Sequence, residues 1–253
     1  MHDRPWQTIF EKYAIDQHDF SESPFQLSAR QIKQATNHFT TTSEREIRII
    51  CKQDTRESRP EVFVKNDLFL LPTKNGEFII IEGEGYVDMP ELTNPIIEYD
   101  SKLDFELESS KVGNSEMQHL DYAYASSIIR TFLDDPTLVL TIRGRKYTPK
   151  FDFIAGRYSH KISTGGVQTE VDAGYEGREQ IALVEAKNSE TKNTIIRQLY
   201  YPYRQWKSCT NKPVKILFFE KREMIYSVWL FEFNDVNNYN SISFVGGTRY
   251  KLL

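Results

Sequence analysis

The chain has 253 residues, 39% of them hydrophobic and 13% aromatic, enough to bury a substantial core in one or two domains. No apolar run is long enough to span a bilayer, the opening MHDRPWQTIF lacks the parts of a secretory signal, and two distant cysteines, Cys51 and Cys209, exclude a zinc finger and point to reduced thiols in a cytoplasmic protein. A net charge of −4 neither favours nor excludes a nucleic-acid partner, because a local basic surface can coexist with an acidic site elsewhere.

To about Thr42 the pattern is helical, with Ser28 capping a helix from Ala29 and Ile32, Ala35 and Phe39 along one side. From Ile47 to about Ile81, the runs IRIIC, EVFV, DLFLL and EFIII read as strands, and the last two form a hairpin at Asn75-Gly76. Lys52, Arg56 and Arg59 crowd the loop before that sheet; a solvated loop is the plainer reading and a DNA-contacting loop the competing one. Glu82-Gly83-Glu84-Gly85 reads as a surface turn. Residues 94–114 are polar and irregular, a linker between an N-terminal α+β region (1–110), a candidate for DNA recognition, and a core (111–253).

Ser115 caps a helical run, SEMQHLDYAYASSIIRTFLDD, with Leu120, Ala123, Tyr124, Ile128 and Phe132 at helical spacing. The β-segment TLVLTIRGRKYTPKFDFIAG follows, and its Arg143, Arg145, Lys146 and Lys150, interleaved with Tyr147 and Phe151, suit phosphates. His160 to Gly166 is Ser, Thr and Gly rich and reads as a mobile loop. From Asn193 an amphipathic helix carries Ile195, Ile196, Leu199 and Tyr203 on one side, and Pro202 is expected to kink or end it. KPVKILFF and IYSVWLFEF give two further strands, and SISFV-GG-TRYKLL a last hairpin.

The most informative stretch is Val167 to Trp206. VQTEVD alternates, with Val167, Thr169 and Val171 on one face and Gln168, Glu170 and Asp172 on the other; Gly174 and Gly177 mark a turn. IALVEAKN then reads as a strand buried on both faces, yet it carries Glu185 and Lys187. A hairpin brings Asp172, or Glu170 beside it, close to that pair. Two desolvated carboxylates repel unless they share a cation, and Mg²⁺, held by one or two carboxylates with water and phosphate completing its shell, is the natural one. Lys187 is then placed to orient or help deprotonate a water, or to stabilise charge on a phosphate oxygen. Asp152 is a rival metal ligand at longer range. The bland alternative is that Glu185 and Lys187 form a solvated ion pair at a strand end.

Asp172, twelve residues, then Glu185-Ala186-Lys187 resembles the PD-(D/E)XK nuclease motif, with Val171 where the family name has Pro. The resemblance spans roughly Ser115 to Glu232 and is closest to a type II restriction endonuclease. It implies an α/β fold: a mixed sheet flanked by helices in the order α-β-β-β-α-β, with the N-terminal region packed on it. It also implies that Asp172, Glu185 and the Ala186 carbonyl hold Mg²⁺ while Lys187 positions the attacking water. Gln198 stands where many members have Gln or a basic residue, and Glu116 is a minor candidate for a further carboxylate. The activity implied is cleavage of double-stranded DNA to leave 5′-phosphate ends, by a homodimer matched to palindromic sites. A repair or junction nuclease of the same fold, or a non-catalytic DNA-binding module, are the alternatives.

Overall fold

Residues 2–253 are described by a computed structural model. The chain begins with α1 (Asp3–Tyr13), β1 (Phe25–Ser28) and α2 (Ala29–Thr36). Ser28 starts α2 as expected, its hydroxyl accepting the Gln31 N–H while the Gln31 side chain accepts the Ser28 N–H. Next come α3 (Thr42–Arg45), α4 (Ile47–Ile50) and α5 (Glu61–Lys65), then the hairpin β2 (Leu68–Lys74) and β3 (Glu77–Glu82). Here two expectations fail, because IRII and EVFV are helical. Four-residue runs with three β-branched or aromatic members carry no decisive period, and packing settles them. Ile50 and Phe63 are fully buried under α1, where the Trp6 indole donates to the Ile50 carbonyl and stacks edge-on against Phe63. The β2–β3 hairpin does form at Asn75-Gly76, with Gly76 at φ +79, and β1 completes a three-stranded sheet in the order β1-β3-β2.

The segment expected to be irregular contributes β5 (Ile97–Tyr99), after the short β4 (Tyr86–Asp88). The single expected helical run is two helices, α6 (Glu116–Ala125) and α7 (Ile128–Phe132), because Ser127 between them takes a left-handed conformation (φ 68). Then follow β6 (Val139–Tyr147), β7 (Phe151–Ala155), β8 (His160–Thr164), β9 (Gln168–Glu176), β10 (Ile181–Lys187) and β11 (Asn193–Ile195). β7 and β8 pair as a hairpin, so His160 to Thr164, expected as a loop, is a strand. The chain ends with α8 (Ile196–Lys207), β12 (Val214–Arg222), β13 (Ile225–Phe233) and β14 (Ile242–Leu252).

Seven strands form a mixed sheet in the order β5-β14-β13-β12-β10-β9-β6. β10 and β12 are parallel and joined through α8, while β6, β9 and β10 run antiparallel in succession. The elements α6, β6, β9, β10, α8 and β12 occur in that sequence, with α7, the β7–β8 hairpin and β11 interposed. Leu183, Ile216 and Phe231 face α8 on one side; Val184, Phe219 and Val228 face α6 and α7 on the other. Helix α8 runs on through Pro202, against expectation. An N–H at 202 would have bonded the Gln198 carbonyl, but buried Leu199, Tyr200 and Tyr201 hold the helix to the sheet, and the tyrosine hydroxyls donate to the Val236 and Pro72 carbonyls. The expected final hairpin is instead one strand. Its Gly247 lies under Leu92, whose side chain would stand 2.6 Å from a Cβ there, so that glycine serves close packing and not a turn.

Candidate active site

The site begins with an irregularity in β9. Ile142 pairs with Gly174 and Gly144 with Val171, so two steps along β6 match three along β9, which gives β9 an extra residue at Asp172-Ala173. The expected alternation is broken there: Val171 packs on the α8 side, whereas Ala173 and Tyr175 pack on the α6 side. Gly174, expected in a turn, lies inside the strand, where a Cβ would come within 2.7 Å of the Ile142 side chain. Counting from Gly174, which is opposite Leu183, Asp172 falls on the same side as Leu183, Glu185 and Lys187. The β9–β10 ladder stops at Val184–Ala173, and the Asp172 carboxylate takes over the next donor, accepting the Ala186 N–H at 2.8 Å.

Glu185 and Lys187 project from β10, an interior strand. Lys187 Nζ lies 2.6 Å from a Glu185 oxygen and donates to the Ala186 carbonyl at 3.0 Å. The ion pair of the bland reading therefore exists, but it is not a solvated one, since the Glu185 side chain is only 11% exposed. Burial, followed by the charges of Asp172 and Asp54, pushes the Glu185 carboxyl up to about 7 against the pull of Lys187. Burial, with Glu170, also raises Asp172 above the ordinary range, opposed by the Ala186 N–H, Lys187 and Arg143. Burial alone would lower Lys187, but Glu185, then Asp172 and Glu116, together lift its ammonium above the usual lysine value. Glu116, at the start of α6, thus acts on the site electrostatically.

Asp172 and Glu185 line a cleft of about 790 Å³ between the core and the N-terminal unit. Glu170 and Arg145 form an exposed 3.3 Å ion pair on its lining. Gln198 lines it too, its amide oxygen accepting the Thr194 hydroxyl at 2.7 Å. The basic stretch of β6 is dispersed: Arg145 lines the cleft, Arg143 is bound to Asp121 of α6, and Lys146 lies 5.9 Å from the Trp206 ring. Asp152 belongs to the β7–β8 hairpin, where Ser163 donates to it.

The opposite wall was not foreseen. Residues 51–57 are fastened to β11: the Ile195 N–H donates to the Asp54 carbonyl (2.8 Å), the Arg56 N–H to Asn193 Oδ1 (2.7 Å), and the Asn193 amide to Glu57 (2.9 Å). Arg56 pairs with Glu84 and Asp88, and Arg59 stacks on Tyr86, so Lys52 is the exposed cation of that trio. Gln53 and Asp54 thereby line the same cleft as Asp172 and Glu185, together with Arg197 of α8. The one sequence signal for this wall was the charge density of its loop.

Residues 81–251 match a family model described as Domain of unknown function (DUF6997), and residues 3–80 match one described as Domain of unknown function (DUF6996). The first covers more than half of the chain, which therefore belongs to that family. The junction of the two models falls inside β3. No curated protein and no solved structure matches the chain. Among the described residues, no helix is long and apolar enough to cross a membrane.

Proposed function

We propose that this member of the DUF6997 family is a metal-dependent endonuclease of the PD-(D/E)XK type, cutting double-stranded DNA in the manner of a type II restriction enzyme. The observation that supports it most is the bulge in β9, which turns Asp172 onto the Glu185-Ala186-Lys187 segment beside an open cleft. Bulges next to active sites serve to re-aim a side chain.

The donor set fits a hard divalent cation. Asp172, Glu185 and the Ala186 carbonyl would hold it, and two raised, buried carboxylates are anionic groups in want of a positive partner. Among the described residues no group of three or more Asp, Glu, His or Cys side chains is placed to hold a metal ion, so the remaining positions would fall to water and phosphate, as Mg²⁺ accepts. Bound there, the ion would supply Lewis-acid stabilisation of the phosphate and a more acidic water. Lys187, held between Glu185 and the Ala186 carbonyl, orients the attacking water and opposes charge growing on the phosphate oxygens. Gln198, whose oxygen accepts the Thr194 hydroxyl, has its amide N–H groups for phosphate oxygens, which Arg145 and Arg197 also suit.

Incubation with a plasmid of known sequence tests this reading. Discrete fragments with 5′-phosphate ends are expected in Mg²⁺, with no cutting in excess EDTA and DNA binding without turnover in Ca²⁺. Undiminished cutting in EDTA, or intact plasmid in both Mg²⁺ and Mn²⁺, refutes it.

A further inference from the structure

The cleft wall opposite the carboxylates contains a group that packing does not explain. Gln53 is 2% exposed, yet neither the oxygen nor the nitrogen of its side-chain amide has a hydrogen-bond partner. Its backbone is fixed, with the Gln53 carbonyl accepting the Tyr86 hydroxyl at 3.1 Å and the next carbonyl accepting the Ile195 N–H. A buried donor and acceptor left unmade cost free energy that an apolar side chain of the same shape would avoid. Gln53 also belongs to the lining of the same cleft as Asp172 and Glu185, its amide enclosed in the free protein.

We propose that Gln53 reads an adenine next to the scissile phosphate in duplex DNA, an inference that rests on the nuclease reading above. A carboxamide presents one donor and one acceptor side by side. In the major groove the adenine edge offers the bidentate complement, an N7 acceptor beside an N6 donor. Guanine presents two acceptors, cytosine a donor, and thymine an acceptor beside a methyl group, and none of these satisfies both halves of the amide. The surroundings supply what base reading needs. Lys52, largely exposed and 3.6 Å from Asp54, and Arg145 on the facing wall can hold phosphates without regard to sequence. The tie between residues 54–57 and β11 fixes Gln53 relative to the segment that follows Lys187. Specificity and chemistry are thus contributed by opposite walls of one cleft.

The test is selection of binders from a duplex pool randomised over its central positions, run in Ca²⁺ so that preference is read without cleavage. Wild type is compared with Gln53→Met, a near-isostere without hydrogen-bonding groups, and with Gln53→Glu. Wild type should enrich adenine at one position. Gln53→Met should lose about tenfold or more of that preference while the rest of the profile stays, and Gln53→Glu should shift it toward cytosine, whose N4 donates to a carboxylate. The melting temperature of Gln53→Met should equal or exceed that of wild type, since an unpaired amide has been removed. Coincident base profiles for wild type and Gln53→Met, or a wild type that enriches no base, overturn the proposal. A wild type that selects adenine yet cuts nothing would remove the nuclease reading and leave the base reading standing. One that cuts with an unaltered profile in both variants would do the opposite.

Discussion

The two ends of the β9–β10 hairpin are built from similar residues and behave differently. Near the turn, Ile181 faces Glu176 and Ala182 faces Tyr175 in a complete ladder, and the Gly177 N–H closes onto the Gln180 carbonyl. Past Val184 the ladder stops, because β9 holds one residue too many, and a carboxylate takes the place of a backbone carbonyl. The closed end converts apolar burial into stability. The open end gives up ladder bonds, keeps two carboxylates and an ammonium largely out of water, and sets the two carboxylates on the lining of a cleft. The charged cluster here comes from interrupting a ladder, with no added loop.

That contrast can be broken most forcefully at Lys187. Lys187→Ala is expected to slow cleavage at least about a hundredfold, a loss of roughly 3 kcal/mol of transition-state stabilisation, with DNA affinity little changed. Leu183→Ala, two turns of the pleat earlier on the same face, should do the reverse. It should cost about 2–5 kcal/mol of stability and leave the rate per folded molecule alone. Single-turnover kinetics and denaturant melts on the pair read both quantities, and a Lys187→Ala protein cutting at the wild-type rate would strip the open end of its chemical role.

The cost of the open end should also be visible in pH. The folded state holds the Glu185 proton more tightly than the unfolded chain, so stability is lost as pH rises from 4.5 through about 7. Lys187 has the same sign in a higher window, contributing stability below 10.5 that is lost as pH rises through its elevated value. Thermal melts of metal-free protein between about pH 5 and pH 8 should show wild type losing a few degrees relative to Glu185→Gln. Added Mg²⁺ should recover more of the loss at the upper end, where it no longer competes with the proton. Parallel pH profiles for the two proteins would mean that Glu185 carries no such burden.

The smallest effect separates two neighbouring cations. Arg145→Ala should flatten the plot of log affinity against log salt by about one unit, whereas Arg143→Ala, whose guanidinium is engaged by Asp121, should leave the slope unchanged. Equal losses of slope would place both side chains on phosphates.

The strand IALVEAK and the partnership of Asp172 with it were legible because an apolar run ending in charge is informative without any knowledge of its neighbours. The bulge was not, since register depends on how Ile142 presses on Gly174, a contact between residues far apart in the chain. IRII and EVFV were misread because their burial is set by Trp6 and Phe10, not by their own period. Gln53 left no trace in sequence, for a glutamine in a polar loop becomes unusual only once it is seen to be buried and unpaired.

The position of the family junction has a consequence for inheritance. Leu68 and Phe69, on one side of it, pair with Glu82 and Ile81 on the other, and the Glu82 carbonyl also accepts the Arg157 N–H from deep within the second region. A recombination event that exchanged the first 80 residues would divide a strand in the middle of its sheet and remove the loop that faces the carboxylates. If the proposed cutting activity holds, new specificities are therefore expected to arise through point changes on the facing wall and not through the shuffling of halves, and the two regions should travel through genomes as a single unit.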